Sequence, residues 1–459
     1  MTQVKKDLRI GFLLLEDEVN GRCGWIAGLY FIKNCLNAIA CLPDNEIPQL
    51  FIFIPDSFTD KLIDSTMNHD KWLTIVTIPD SHLSDFRQHH LVEEKINNYQ
   101  CDIYFPMLTK PRFVLNGASI GWIPDYQDRH LKQYFNADEA CYRDVINSFI
   151  SSYCSYVLCT SNSVRDDFNK FYPDYAYKGI VVHFRSFINK QLLEMDPEDT
   201  LIKYGIQGKK YIYMPNQFWT HKNHMMVFEA WKQLKYWGSD YLLICTGSCH
   251  DPRFSNYHEQ ILAYLRDHNL TDNVKILGFI DRKEQIQFYR AASAILQPSL
   301  FEGWSTSLED AKALGKLILA SDISVHQEQC ESNTLFFDPY NPDLLAKMIN
   351  MIWDDLPSGH NAATEKDANA YYQASIVQFG RDLVHLFGKT IRQAHNEHNV
   401  DTIKTLAPLY NSALKLPVYL NRQLLARQQD CDERLELING LHKAFNRKGL
   451  LERILNIFK

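Results

Sequence analysis

Positive charge is not in excess in this sequence. Its 459 residues carry 48 Lys and Arg against 55 Asp and Glu, a net charge of −7, so it lacks the basic footprint of a nucleic-acid binder. No long apolar run opens the chain. The start, MTQVKKDLRIGFLLL, has basic residues and one brief apolar stretch. It shows no small-residue cleavage site and is too short to span a bilayer, so it reads as a first buried strand. Metal-type cysteine pairing is also missing. The eleven cysteines are an odd number without paired spacing, which points to a reducing cytoplasm. The single sequon Asn269-Leu-Thr271 then carries no meaning. A full glycine-rich dinucleotide fingerprint does not follow the first strand, which counts against a redox cofactor. No Asp-x-Asp stands at a strand end, because Asp430-Cys-Asp432 lies in a charged helical run. Neither a cofactor nor a metal is expected.

What is present fits a globular α/β protein. The apolar share of 46% is enough for real cores, and the 13% of aromatics suits clefts that hold rings and sugars. The length suggests two to three domains. Stretch 9–15 is a continuous apolar strand of the kind found in parallel sheets buried on both faces. Gly24-Trp-Ile-Ala-Gly28 then leads into a helix over 29–39, the βα opening of a doubly wound domain. Further strands are expected at 50–54, 73–78, 103–105, 119–124 and 157–160, the last followed by a helix cap at Ser161. Strand signals are few over 187–208, which holds Pro197 and two glycines, and the interdomain linker is placed there. A second series of strands follows at 211–214, 242–247, 274–280, 294–298 and 317–320.

The stretch 298–328 changes its hydrophobic pattern twice. A short strand stops at Pro298, and a polar turn, Glu302-Gly-Trp-Ser-Thr306, follows. From Ser307 the spacing is helical, with Leu308, Ala311 and Leu314 on one face and Gly315 as the stop. A glycine-bearing turn that runs into a helix N-terminus can hold an anion. Glu302 before the turn, and Glu309 and Asp310 on the helix, frame it. Amides for a phosphate beside carboxylates for sugar hydroxyls are what a bound nucleotide sugar requires.

Glu302-Gly-Trp…Asp310-Ala…Gly315 resembles the Glu-x7-Glu signature of the family 4 retaining glycosyltransferases, which have the GT-B fold. Asp310 stands where that family usually has its second Glu, and Glu309 is one position away, so either one fills the role. The resemblance covers roughly 8–390. It implies two doubly wound, Rossmann-like domains facing across a cleft: an acceptor-side domain over 1–190 and a nucleotide-sugar domain over 191–394, whose last helix crosses back. A helical extension occupies 395–459.

Other segments fit the resemblance in order. The family's Gly-Gly pair at the first helix start, facing the donor phosphate and acceptor, corresponds to Ala27-Gly28. The loop Asp125-Tyr-Gln-Asp-Arg-His130 lies at a strand's carboxyl end, where ligands bind in such sheets. The family's usual His falls on Asp128, with Asp125 and His130 beside it. In Pro215-Asn-Gln-Phe-Trp-Thr-His-Lys-Asn-His224 the family's phosphate-binding Lys is Lys222, while Gln217 takes the place of its Arg, leaving Asn223 and His221 to compensate. A fixed ammonium in a solvated cleft would stabilise the charge on a departing diphosphate. Gly247 is expected to line the nucleotide cleft, with Phe279 and Ile280 flanking the base. Gly303, Trp304, Ser305 and Thr306 would hold the phosphate, Glu302 the sugar hydroxyls, and Asp310 or Glu309 the ribose.

The resemblance therefore implies transfer of a hexose-type sugar, with retention and without metal, from a nucleoside-diphosphate sugar to a hydroxyl of a glycan or lipid-linked glycan. Two other classes stay open: a nucleotide-sugar hydrolase or epimerase of the same fold, and a non-catalytic subunit of a glycosyltransferase complex. The segment 441–459 is basic, with apolar residues at roughly helical spacing. It suits either an anionic membrane at the inner face or a partner subunit.

Overall fold

The computed structural model describes residues 8–15, 26–58, 72–84, 88–107, 115–251, 253–330 and 332–394. The segments 395–459 and 441–459 and the pair Asp430 and Asp432 lie outside the described residues.

The apolar runs form two wholly parallel sheets. The first holds β1 (Arg9–Leu13), β2 (Gln49–Pro55), β3 (Leu73–Ile78), β4 (Ile103–Met107), β5 (Ala118–Trp122), β6 (Tyr156–Cys159) and β7 (Gly179–Val181). Its strand order is 3-2-1-4-5-6-7. The second holds β8 (Tyr211–Pro215), β9 (Leu242–Thr246), β10 (Val274–Ile276), β11 (Ala294–Gln297), β12 (Ile318–Ser321) and β13 (Thr334–Phe337), in the order 10-9-8-11-12-13. Each order reverses once, between β1 and β4 and between β8 and β11. In such sheets the ligand crevice opens at the reversal, outside the carboxyl ends of the strands.

The helices used below are α1 (Ile26–Ala40), α2 (Ala137–Tyr153), α3 (Asn162–Phe171), α4 (His224–Tyr236), α5 (Arg282–Ala291), α6 (Thr306–Ala313), α7 (Ser324–Gln329) and α8 (Ala362–Ala394). Ser161 caps α3 as its sequence suggests, its Oγ accepting from the Val164 amide at 3.0 Å. Gly315 ends α6 with φ of +65°, a left-handed turn that a side chain resists. The 187–208 stretch is not bare linker: Lys190–Leu193 and Pro197–Lys203 are short helices. Strand β10 stops at Ile276, so Phe279 and Ile280 lie in the loop beyond it rather than in the expected strand.

One helix ties the domains together. Near its start α8 packs on the end of α6, where a Cβ on Gly315 would come within 2.8 Å of the Ala368 Cβ. Farther along, Phe387 meets Phe12 and Phe105 of the first sheet edge-on, with ring centroids at 6.3 and 5.8 Å. Where α8 crosses α1, a Cβ on Gly380 would lie 2.4 Å from the Ala38 carbonyl oxygen. The two backbones touch there, and only glycine allows it. Tyr372, Ile376, Phe379 and Leu383 of α8 are buried in a core that runs from the first domain into the second. Among the described residues no helix is long and apolar enough to cross a membrane.

Candidate functional site

The carboxyl ends of the two sheets enclose a cleft of about 360 Å³. The second domain lines it with the loops after β8, β9, β10 and β11, and the first domain with Tyr30, Lys33, Asn34 and Asn37 of α1. These four positions follow the i, i+3, i+4, i+7 spacing of a single helix face.

At the β8/β11 reversal, Lys222 donates through Nζ to Oε1 of Glu302. The side chains are 14% and 11% exposed, so the lysine is not free in a solvated cleft as its sequence suggested. The neighbouring loop explains the placement. Asn223 takes a left-handed φ of 59°. Its Nδ2 donates to the carbonyls of Pro298 (3.2 Å) and Pro339 (2.7 Å), which pins the Lys222 turn to the exit of β11. Gln297 secures the other partner, donating to Glu302 Oε1 at 3.2 Å and Ser305 Oγ at 2.7 Å. Beneath them His326 is fully buried. Burial pushes its pKa down to about 4, against the pull of the Glu302 charge. His221 is buried too. Desolvation, together with the Lys222 and Arg253 charges, holds its pKa well below the ordinary value. Asn223 and His221 therefore bring no cation to replace the arginine that Gln217 displaces.

The turn before α6 is pressed against the first domain. A Cβ on Gly303 would lie 1.9 Å from the Pro124 carbonyl oxygen, and Thr160 Oγ1 donates to the Gly303 carbonyl at 3.3 Å. Trp304 stacks on His183 (4.7 Å, 12°) and donates through Nε1 to the Phe184 carbonyl. The Ser305 amide donates to Gln329 Oε1 at 3.0 Å. In this state it is engaged within the protein rather than left open for a phosphate. Thr306 begins the helix and lines the cleft.

The two acidic residues of α6 part company, as a rotation of about 100° per residue requires. Glu309 is fully buried and turns toward α8 and α7. It accepts from Tyr372 Oη (2.5 Å), Gln329 Nε2 (2.9 Å) and Lys312 Nζ (3.1 Å). Asp310 lines the cleft, accepting from Arg282 Nη1 and Nη2 at 2.5 and 2.6 Å and from Ser186 Oγ at 2.5 Å.

Arg282 is the residue that sequence reasoning missed. It opens α5 just after the Asp281 cap, whose Oδ1 accepts from the Glu284 amide at 2.8 Å. A cation in a helix's first turn opposes the helix dipole, and that local conflict was the available signal. Nearby, Gln217 Oε1 accepts from the Ser248 amide at 3.1 Å. Gly247 has φ of +144°, and a Cβ there would lie 2.2 Å from the Asn216 carbonyl oxygen. Ile280 lines the cleft beside Phe279, which is 62% exposed.

On the first-domain side, Ala27 and Gly28 fall in the first turn of α1. In the segment 125–130, where Gln127–His130 form one helical turn, the polar side chains meet other parts of the protein. Asp125 Oδ1 accepts from the Gln127 amide and Arg143 Nη2, both at 3.0 Å. Asp128 is buried between Arg143 (3.5 Å) and Arg129 (3.6 Å). Burial pushes its pKa up, although both guanidiniums oppose the shift. His130 Nε2 lies 2.7 Å from Asp167 Oδ2, and its ring stacks on Phe301 at 4.9 Å. Gln127 Oε1 accepts from Arg253 Nη1 of the second domain at 3.0 Å. The loop thus braces the two domains, and Asp125, Asp128 and His130 are absent from the described lining residues. A second brace was not visible in the sequence. Glu328 of α7 accepts from the Asn162 amide (2.6 Å), the Asn162 side chain (2.8 Å) and the Ser163 amide (3.2 Å), and lies 2.7 Å from His183 Nε2.

Comparison with known proteins adds to this geometry. Residues 198–369 match the family model described as glycosyl transferases group 1. The match runs from the short helix Pro197–Lys203 to the first turns of α8. The O-antigen chain mannosyltransferase RfbU of Salmonella typhimurium is 27% identical over 188 residues, 40% of this chain. The chain spans about half (47%) of that relative's length. Among solved structures, HepE of Anabaena in complex with UDP and glucose superposes with a TM-score of 0.61 at 16% identity. The alignment covers 83% of this chain and 100% of that one. A glycosyltransferase from Rickettsia africae reaches a TM-score of 0.58 at 16% identity, covering 84% and 99%. The fold is GT-B, and within the second domain residues 198–369 are similar to glycosyl transferases group 1.

Proposed function

We propose that this chain transfers a hexose-type sugar from a nucleoside-diphosphate sugar to a hydroxyl of a glycan or lipid-linked glycan. The Lys222–Glu302 pair at the strand-order reversal carries the reading. A cation there neutralises a leaving diphosphate, and a carboxylate beside it receives sugar hydroxyls. The UDP and glucose bound by HepE and the mannosyl transfer in the name of RfbU support a nucleotide sugar and a glycan. Asp310 is the residue proposed to hold the ribose, and Phe279 and Ile280 to flank the base. Lys222 and the start of α6 supply the charge stabilisation, so the transfer is proposed to need no metal.

Retention of the anomeric configuration is part of the proposal. Double displacement needs a free carboxylate nucleophile. Glu302 and Asp310, the cleft's described carboxylates, are each ion-paired. That favours attack by the acceptor oxygen on the face the phosphate leaves, with the hydroxyl proton passing to the departing phosphate. The place proposed is the cytoplasm, at the inner face of a membrane where lipid-linked acceptors lie.

Mass spectrometry of reactions with a panel of nucleotide sugars and of glycan and lipid-linked acceptors tests this. The expected result is an acceptor heavier by one sugar, with one nucleoside diphosphate released, at undiminished rate in excess chelator. Free sugar released without acceptor would make the chain a hydrolase. No turnover with any donor would favour a non-catalytic subunit.

A further inference from the structure

Around the Arg282–Asp310 pair, the cleft is lined by side-chain amides whose oxygens are already taken. Asn34 of α1 is only 6% exposed. Its Oδ1 accepts from the Phe187 amide at 2.9 Å. Asn189 Oδ1 accepts from the Gln191 amide at 2.9 Å, and Gln285 Oε1 from Arg282 Nη1 at 2.8 Å. A neighbour that can only donate fixes which end of an amide is the oxygen. Each amide therefore keeps its NH2 group for another partner. None of these three nitrogens has one among the described residues, and none is sealed from solvent. All three residues line the cleft.

Their position matches the base of a bound nucleotide. Tyr30, one turn before Asn34 on the same face of α1, has its ring 5.9 Å from Arg282 Cζ. Gln285 stands one turn after Arg282 on α5. Both amides thus lie about one helical turn, roughly 5.4 Å, from the partner of the proposed ribose acceptor Asp310. A base joined to that ribose reaches as far. Phe279 and Ile280, proposed to flank its ring, line the same cleft. A flat ring held by apolar groups leaves only its edge for polar contact, and here that edge meets N–H donors from both domains.

We infer that Asn34 and Gln285 read the base and select a keto base. Their NH2 groups donate to an exocyclic carbonyl oxygen, as on uracil, guanine or hypoxanthine, and face the exocyclic NH2 of cytosine or adenine donor to donor. The inference rests on the nucleotide-sugar reading above and adds the class of nucleotide to it.

Calorimetry with two matched pairs tests this. UDP and CDP differ only along one edge of the ring, and so do IDP and ADP. Ribose and phosphates are common to all four. The unaltered protein should bind the keto member of at least one pair roughly 5- to 100-fold more tightly than its amino partner, the scale of polar groups left unpaired. Asn34→Asp keeps the oxygen that accepts from Phe187 and replaces the NH2 by a second oxygen. The keto preference should then fall to about twofold or reverse. Gln285→Glu keeps the Arg282 partner and makes the same exchange on the other wall. It should act alike, and it carries the test if the melting curve shows that Asn34→Asp does not fold. Absence of a keto preference in the unaltered protein would overturn the base-reading role alone. So would a preference that either folded variant leaves unchanged, even with weaker binding throughout. Failure of these four diphosphates and of GDP to bind the unaltered protein would overturn the nucleotide-sugar reading, and this inference with it.

Discussion

Lys222 and Glu302, 80 residues apart in the chain, close on each other as an ion pair at the centre of the cleft. The cation proposed for a leaving phosphate is held by the carboxylate proposed for a sugar. Lys222→Ala is expected to lower turnover about 100-fold or more, the scale of losing one fixed charge stabiliser. Both side chains are mostly buried, so the variant should also lose roughly 1–3 kcal/mol of stability by stranding Glu302. Much of that loss should disappear in Lys222→Ala/Glu302→Gln. Rate measurements with denaturant titrations of the three proteins check both effects. Unaltered turnover in the single variant would remove Lys222 from the chemistry.

Glu309 and Asp310 are neighbours with opposite assignments. Asp310→Ala should weaken donor binding by roughly 1–3 kcal/mol, because it takes away the proposed ribose acceptor and leaves Arg282 without its fork partner. Glu309→Ala should spare donor affinity and cost stability instead, because it strands Tyr372, Gln329 and Lys312. Donor titration and thermal melting of both variants decide the matter. A larger affinity loss from Glu309→Ala would reverse the assignment.

Glu328 fastens α7 to the N-terminus of α3, and that clamp should respond to acid. Burial alone would raise its pKa. The hydrogen bond with His183 and those from the Asn162 and Ser163 amides outweigh burial and hold it below the ordinary 4.5. A carboxyl with a depressed folded value leaves the unfolded chain binding more protons. The stabilisation is thus present above 4.5 and lost as pH falls through the folded value. Glu328→Gln should melt lower than the unaltered protein at pH 7, and the gap should close below pH 4.5. Melting curves that stay parallel across this range would contradict the clamp.

Gly303 is where the turn before α6 meets the first domain. A methyl group there has a backbone carbonyl in its way at 1.9 Å, and backbone cannot step aside as a flexible side chain can. Gly303→Ala should part the Glu302 turn from Pro124 in the loop after β5. Donor affinity is expected to fall at least tenfold, about 1.4 kcal/mol. Calorimetry checks this, and undiminished affinity would mean that the domain contact does not shape the site.

The fold was legible because its determinants are local. Runs such as Leu-Phe-Ile-Phe-Ile at 50–54 are buried on both faces and have few alternatives to a parallel sheet. Lys222, Glu302 and Asp310 could be singled out because each falls at a motif position of the family that the sequence resembles. What the sequence hid are pairings between distant segments. Arg282 acquires its meaning from Asp310, 28 residues on, and Glu328 from Asn162, 166 residues back. The polar loop at 125–130 ends a parallel strand and so looked ligand-facing. The positions of Arg143 and Arg253 show that Asp125 and Gln127 pair with protein, while Asp128 Oδ1 has no hydrogen-bond partner among the described residues. Asn223 likewise looked like a spare polar group until its left-handed backbone and its two carbonyl partners were placed.

Calorimetric titration with a panel of nucleoside-diphosphate sugars tests the central claim most directly. Saturable binding of at least one of them is expected, weakened tenfold or more, about 1.4 kcal/mol, by Lys222→Ala and by Asp310→Ala alike. If none of the sugars binds, or if binding is indifferent to both substitutions, this cleft is not a nucleotide-sugar site.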